Sequence, residues 1–322
     1  MNSTALLTVR VARKAQEATD ICSLELVATD GSALPSFTAG SHIDVHLPGG
    51  LTRPYSLCNN PAETQRYVLG VLREPVSRGG SLAVHDTLRA GDLLQISAPK
   101  NHFPMAHDAK RSLLLAGGIG ITPILSMAEH LSASKADFRM HYSTRSVERT
   151  AFRTRIAASA FAGQVQHHFD DGDAAQKLDL AAVLAAPQTG THLYVCGPKG
   201  FMDAVLTTAR AQGWPEAQLH SEFFSAEVVH LATDAAFEVK IASSGKVVLV
   251  PKDQTVVQAL AAAGVDILTS CEQGVCGTCL TRVLDGTPDH KDSYLLPEEQ
   301  AANDQFMPCC SRSKSPVLVL DL

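Results

Sequence analysis

The chain has 322 residues, 45% hydrophobic and 19% charged, with a formal net charge of −6. That length accommodates two or three domains, and the acidic balance lacks the basic footprint that nucleic-acid binding leaves. No apolar run reaches membrane-spanning length, and eight cysteines in a chain this long do not make a secreted disulfide scaffold.

Arg10, Arg13 and Lys14 break up the N-terminal stretch, which has no signal-peptide core, so a reducing cytoplasm is the expected compartment. From Leu6 to about Ser97 short alternating runs are separated by turn residues. Ile43, Val45 and Leu47 alternate with His42, Asp44 and His46, the period-two pattern of a half-buried strand. Val9 and Val11, Leu24 and Leu26, Val68 to Leu72 and Leu93 to Ile96 supply further strands. Pro48-Gly49-Gly50 and Ala90-Gly91-Asp92 read as turns, and the whole predicts a small antiparallel barrel. Two clusters in it carry chemistry. Arg53, Tyr55 and Ser56 put a cation, an aromatic face and a hydroxyl on one strand, suited to a phosphate, a flat ring and a ring nitrogen. Gly79, Gly80 and Ser81 follow Arg78 at a helix start, where backbone N–H groups cradle phosphate. Alone, each is more often an ordinary strand or turn; together, upstream of a nucleotide fold, they point to a flavin.

That nucleotide fold begins at Ser112. Leu113, Leu114 and Leu115 form a continuous apolar run, the mark of a buried parallel strand. It enters Gly117-Gly118-Ile119-Gly120-Ile121-Thr122-Pro123 and then a helix, the strand–glycine turn–helix order of doubly wound folds. Strands are expected at 138–143, 165–169 and 192–196, and helices within 146–160, at 178–185 and at 198–211. Ser146 is the expected cap of the first of these helices, with Glu148 in its first turn. Ligands in such sheets sit at the carboxyl ends of strands. That rule selects Gly117, Gly118, Gly120 and Thr122, then Thr144 and Arg145, then Asp170, Asp171 and Asp173, and finally Cys196, Gly197 and Pro198. Opposite the glycine turn, Cys196 is a candidate to touch a nicotinamide ring.

Residues 225–236 read as a linker. Strands at 237–241 and 247–250, a helix at 255–263, and strands at 280–284 and 317–320 outline a helix on a small mixed sheet, the β-grasp layout. Pro297, Glu298 and Glu299 suit the start of a short helix. Between them stands Cys271-Glu-Gln-Gly-Val-Cys276-Gly-Thr-Cys279, a C-x4-C-x2-C run, with a fourth cysteine available at Cys309-Cys310. This is the plant-type spacing for a [2Fe–2S] cluster, and Gly274 and Gly277 let the loop turn sharply and aim N–H groups at sulfur. A zinc site would favour paired C-x2-C knuckles, and only one pair is present.

The segments Arg53-Pro-Tyr-Ser-Leu-Cys-Asn-Asn, Arg78-Gly-Gly-Ser, Ala116-Gly-Gly-Ile-Gly-Ile-Thr-Pro, Cys196-Gly-Pro, Ser270-Cys-Glu-Gln-Gly-Val-Cys-Gly-Thr-Cys and Asp289-His-Lys-Asp closely resemble those of the phthalate dioxygenase reductase family. The resemblance spans essentially the whole chain. It implies an FMN-binding barrel over 1–107, an NADH-binding α/β domain over 108–226, a linker over 227–236 and a ferredoxin domain over 237–322. It implies FMN rather than FAD, held by Arg53, Tyr55 and Ser56 with its phosphate at Gly79, Gly80 and Ser81, and an aromatic near the flavin at Phe224. Counted back from Ser311-Arg312, it selects Cys309 as fourth ligand beside Cys271, Cys276 and Cys279. Cys309 and Cys310 on an extended segment would point to opposite sides, leaving Cys310 a small buried hydrophobe. The resemblance implies NADH over NADPH, and Asp170, Asp171 and Asp173 agree, although Arg145 would suit a 2′-phosphate. The implied partner is a Rieske non-haem iron oxygenase acting on an aromatic acid, and a monomer is expected. The rival readings are a stand-alone NADH:acceptor reductase using ferric chelates or quinones, a reductase for an oxygenase with a non-aromatic substrate, and a non-catalytic electron carrier.

Overall fold

A computed structural model describes residues 6–185, 187–224 and 234–322. Seven strands open the fold: β1 (Leu7–Ala18), β2 (Ile21–Ala28), β3 (Ser41–Leu47), β4 (Leu51–Ser56), β5 (Tyr67–Leu72), β6 (Leu93–Ile96) and β7 (Lys100–Asn101). They form one antiparallel sheet in the order β4-β3-β6-β1-β2-β5, with β7 beside β3. A bridge from Leu57, just past β4, to Leu69 of β5 brings the two ends of the sheet together. Val9, Leu24, Leu26, Ile43, Val45 and Tyr67 fill the interior. The short helix α1 (Gly80–Leu82) runs on into a wide turn at Ala83–Thr87.

The expected half-buried strand at 42–47 is corrected. His42 and Asp44 are only 5% and 4% exposed. Lys100 pairs with Asp44 at 2.6 Å, and the His102 ring lies 5.3 Å from that of His42, so the segment after β6 covers the face that alternation assigned to water.

The second layer set comprises β8 (Arg111–Gly117), α2 (Ile121–Ala133), β9 (Asp137–Thr144), α3 (Arg153–Ala157), β10 (Val165–Phe169), α4 (Leu180–Val183), β11 (Thr191–Cys196), α5 (Lys199–Ala211) and β12 (Leu219–Glu222). The strands are parallel in the order β10-β9-β8-β11-β12. The order reverses between β8 and β11, the place where doubly wound sheets bind ligands. Two helices differ from expectation. The 146–160 segment is broken into a single turn at Val147–Arg149 and α3, and Ser146 makes no side-chain cap. Thr150 donates instead to the Ser146 carbonyl, Tyr142 accepts the Ala151 N–H, and buried Phe152 takes φ +59° to enter the core. Tertiary contacts outcompete local helix propensity there. The helix at 178–185 shrinks to one turn capped by Asp179.

Barrel and α/β layers belong to a single compact unit, residues 1–222, and the second unit is 223–322. Ile21, Val68 and Phe103 of the first layer share a core with Leu114, Ile124 and Tyr194 of the second. Ser126 on α2 donates to the Asn59 carbonyl at 3.0 Å.

The second unit holds β13 (Phe237–Ile241), β14 (Val247–Val250), α6 (Val256–Ala262), β15 (Thr281–Asp285), β16 (Pro288–Asp289), α7 (Pro297–Ala302), β17 (Gln305–Phe306), β18 (Arg312–Ser313) and β19 (Val317–Leu320). Its mixed sheet runs β14-β13-β19-β15-β17, with β13 and β19 parallel, and β16 pairs β18 apart from it. Val256, Ala259 and Leu260 of α6 pack into its core, and a Thr255–Gln258 capping box starts that helix. Of the expected linker, residues up to 233 lie outside the described residues. Its end does not behave as a linker: the Asp234 side chain is 5% exposed and pairs with Lys291 at 2.6 Å.

Candidate functional site

On β4, Arg53 sends its side chain toward the turn that carries the second cluster. Its guanidinium donates to the Arg78 carbonyl at 3.1 Å, and a β-carbon on Gly80 would lie 2.6 Å from Arg53 Cγ. The missing side chain at Gly80 therefore lets a cation cross the start of α1. Gly79 holds φ +89°, a conformation costly for other residues. A cation beside the N–H groups of a helix start suits a phosphate. The Ser81 hydroxyl turns inward to Ser77 and accepts from the Glu74 N–H at 3.1 Å, so that side chain shapes the turn. Tyr55 packs against the barrel core, and burial pushes its phenol well up.

At the carboxyl edge of the parallel sheet the glycines have a steric task that sequence did not disclose. A β-carbon at Gly117 would meet the Phe201 ring at 2.7 Å, and one at Gly197 would meet Gly117 itself at 3.0 Å. One at Gly120 would strike the Cys196 carbonyl. These three allow the β8–α2 turn to close against the end of β11. Gly118 alone faces open space, at φ +53°. The N-termini of α2 and α5, the latter starting after Pro198, both open on this edge and present N–H groups to an anion. Thr122 does not reach it with its hydroxyl. The residue is 2% exposed, donates to the Ile119 carbonyl, and sets its methyl against Gly70 of β5. Arg145, Asp170, Asp171 and Asp173 are all exposed beyond β9 and β10, and the Asp171 N–H is held by the Arg145 carbonyl.

Sequence reasoning missed Glu222. It ends β12, a four-residue polar edge strand with no periodicity to announce it. In register it sits beside Cys196 of β11, and Ser56 donates to its Oε2 at 3.4 Å. Ser56, Cys196 and Glu222 thus meet where barrel and parallel sheet join. Burial pushes the Glu222 carboxyl up to about 8, against the opposing pull of the Ser56 hydroxyl. Burial, and then the Glu222 charge, push the Cys196 thiol well up, leaving it a neutral thiol. Phe224 is 36% exposed and falls in the second unit.

The Glu222 shift gives a stability prediction with a definite sign. An unfolded chain ionises this carboxyl from about 4.5, whereas the folded chain resists until about 8. The unfolded state therefore binds fewer protons across that window, and stability falls as pH rises through it. In the flavin-free protein Glu222→Gln should match the parent's melting temperature near pH 4.5 and exceed it above pH 8. A gap independent of pH would contradict the burial assignment.

In the second unit, Cys271, Cys276, Cys279 and Cys309 are each 5% exposed or less. Cys271 lies within hydrogen-bonding reach of Cys276 and Cys309, and Cys279 within reach of Cys309. Neighbouring thiols and burial raise the Cys276 and Cys279 thiols well above their ordinary values. Gly274 and Gly277 take φ +72° and +71°, and the Gln273 N–H points at Cys271 Sγ at 3.3 Å. Among the described residues no group of three or more His, Cys, Asp or Glu side chains is placed to hold a single metal ion. Four buried thiols within reach of one another suit a dinuclear cluster, which needs two on each iron. Cys309 and Cys310 lie on a turn, not the expected extended segment: the N–H groups of Cys310 and Ser311 both reach the Met307 carbonyl. Cys310 Sγ lies against Gly274 and 3.7 Å from the Met307 carbonyl.

A flavin-barrel and nicotinamide fold carrying a four-cysteine ferredoxin unit defines a class, the iron–sulfur flavoprotein reductases. Residues 239–314 match the 2Fe-2S iron–sulfur cluster binding domain, and residues 97–219 match the N-terminal domain of dimethylamine monooxygenase subunit DmmA-like proteins. The chain is 57% identical to vanillate O-demethylase oxidoreductase of Pseudomonas sp. (strain HR199 / DSM 7063), over 95% of this chain and 96% of that one. It is 58% identical to the protein of the same name from Pseudomonas putida, over 97% and 98%. The solved structure of phthalate dioxygenase reductase superposes with a TM-score of 0.77 at 38% identity, covering 99% of this chain and 98% of that one. The chain belongs to the phthalate dioxygenase reductase family. It is an oxidoreductase with flavin- and NAD(H)-binding layers and a [2Fe–2S] domain, and none of its described helices is long and apolar enough to cross a membrane.

Proposed function

We propose that this chain is the NADH-dependent reductase component of a two-component Rieske oxygenase acting on an aromatic acid, carrying electrons from NADH through FMN and the [2Fe–2S] cluster to that oxygenase. The observation that carries this reading is the presence, in one chain, of a site where barrel and parallel sheet meet at Ser56, Cys196 and Glu222, and of a four-thiol site for a one-electron carrier. FMN held at the first would supply the conversion of a two-electron hydride into single electrons, which matches a one-electron cluster. Arg53 and the turn of Gly79, Gly80 and Ser81 would hold its phosphate, Tyr55 would flank its ring, and Ser56 would hydrogen-bond near the ring nitrogen. Gly117, Gly118 and Gly120 with Gly197 and Pro198 receive the NADH diphosphate, Cys196 borders the nicotinamide, and Phe224 remains the aromatic expected from the family resemblance. Thr122 secures the turn, and the Arg145 and Asp171 strand ends take the adenosine side. The proposed domain limits are 1–107, 108–226 and 237–322, the second running past the boundary at 222 between the compact units, on a monomer in the cytoplasm.

The acidic Asp170 to Asp173 edge disfavours a 2′-phosphate. NADH should therefore reduce the flavin with kcat/KM at least about tenfold above NADPH, a difference of about 1.4 kcal/mol. Equal values would remove the nucleotide assignment. Acid extraction should release FMN, and FAD would overturn that choice. Mixed with the purified oxygenase, the protein should oxidise NADH in step with demethylation of a vanillate-type acid. Oxidation that ignores oxygenase and acid alike would favour a stand-alone acceptor reductase.

A further inference from the structure

The Asp289-His-Lys-Asp segment takes no part in the reading above, yet it backs the cluster loop. The Ser293 N–H donates to the Gly274 carbonyl at 3.1 Å. A β-carbon on Gly274 would lie 3.0 Å from Asp292 Cβ, and one on Gly277 would lie 2.6 Å from the Tyr294 hydroxyl. The two glycines between the first three cysteines thus leave room for Asp292 and Tyr294. On its other side Asp292 reaches the fourth-ligand segment: the Ser311 hydroxyl donates to Oδ1 at 3.2 Å, and Ser311 in turn accepts the Lys291 N–H at 3.1 Å. Asp289 pairs with Arg312 in the β16–β18 ladder, which continues the same fastening. The Leu295 N–H donates to Asp292 Oδ2 at 2.9 Å.

We propose that Asp292 is the positioning residue of the iron–sulfur centre, fixing the segment of Cys309 against the loop of Cys271, Cys276 and Cys279 and placing a buried negative charge behind that loop. This rests on the cluster assignment, which the parent's own iron content and visible spectrum test separately. The Asp292 side chain is 0% exposed, and both its oxygens accept hydrogen bonds, the pattern of an ionised carboxylate. The imidazole at His290 stands 3.6 Å from Oδ1, and among the described residues neither of its nitrogens finds a hydrogen-bond partner. A carboxylate so enclosed costs desolvation energy that its contacts must offset. It does so by bridging two ligand segments far apart in sequence. A fixed negative charge there also resists the further negative charge that arrives when the cluster is reduced.

Three variants of the full chain, purified with cluster, test this. Asp292→Ala removes bridge and charge, and should release its cluster to a chelator at least about tenfold faster, the range for outer-shell partners of metal ligands. Asp292→Asn keeps the shape, because its amide can donate to Ser311 Oγ while its oxygen accepts from Leu295. It should hold the cluster at nearly the parent's rate, yet gain about tenfold in the one-electron equilibrium, or about 59 mV in midpoint potential. Ser311→Ala removes one hydroxyl and keeps the charge, and should speed release while leaving the potential near the parent's. If Asp292→Ala does not fold, Ser311→Ala decides on release and Asp292→Asn on potential. Parent-like release from Ser311→Ala, or a parent-like potential in Asp292→Asn, overturns the proposal.

Discussion

Cys309→Ser should purify with little or no [2Fe–2S] cluster, and its NADH-driven reduction of a one-electron acceptor such as cytochrome c should fall by at least about a hundredfold, consistent with loss of the only carrier on that branch. Flavin reduction by NADH should stay near the parent's rate, since Arg53, Ser56, Cys196 and Glu222 all lie in the 1–222 unit. The structural reason is convergence: Cys309 is within reach of both Cys271 and Cys279, so it closes the ligand set. Serine is a poor replacement, because thiolate sulfur is the softer ligand that iron–sulfur clusters use. Cys310→Ser should keep the cluster and most activity, since its sulfur packs against Gly274 and the Met307 carbonyl. Iron content and visible spectra of the two variants provide the check. The reverse pattern would move the fourth ligand by one residue.

Gly120→Ala should be the most damaging single-methyl change in the nucleotide-binding turn. The backbone there is ordinary, with φ −61° and ψ −6°, so the conformation itself suits alanine. The obstacle is space. The new methyl would strike the Cys196 carbonyl and approach the Gly197 nitrogen to 2.6 Å, and backbone cannot rotate out of the way as a side chain can. Overpacking of this kind costs about 1–3 kcal/mol and forces backbone shifts. Those shifts would part the β8–α2 turn from the end of β11, so flavin reduction by NADH should drop by at least about tenfold, as small misplacements at reacting centres do. Gly118→Ala supplies the contrast. It meets nothing within 4 Å but holds φ +53°, where a β-carbon costs about 1–2 kcal/mol. It should therefore spare the packing of β11. Thermal unfolding and single-turnover reduction of both variants test the order, and a greater loss of rate in Gly118→Ala would contradict it.

The amino-acid sequence by itself determined the cluster, the doubly wound sheet and the barrel, because each is written in residues close together along the chain. The C-x4-C-x2-C spacing packs three ligands into nine residues, Leu113 to Leu115 announce a buried strand, and the glycine turn follows it directly. Helix breaks were less legible: the 146–160 stretch has helical composition, and the burial of Phe152 with the bonds from Ala151 to Tyr142 and from Thr150 to Ser146 interrupts it. Tertiary structure alone decided the rest. Ser56 and Glu222 are 166 residues apart, and Glu222 sits on a short polar edge strand whose four residues cannot establish a period. The same holds for the Arg53 stem across Gly80 and for Asp292 between Gly274 and Ser311. Such contacts depend on how finished elements pack, and local pattern encodes which face an element buries but not what it will be buried against.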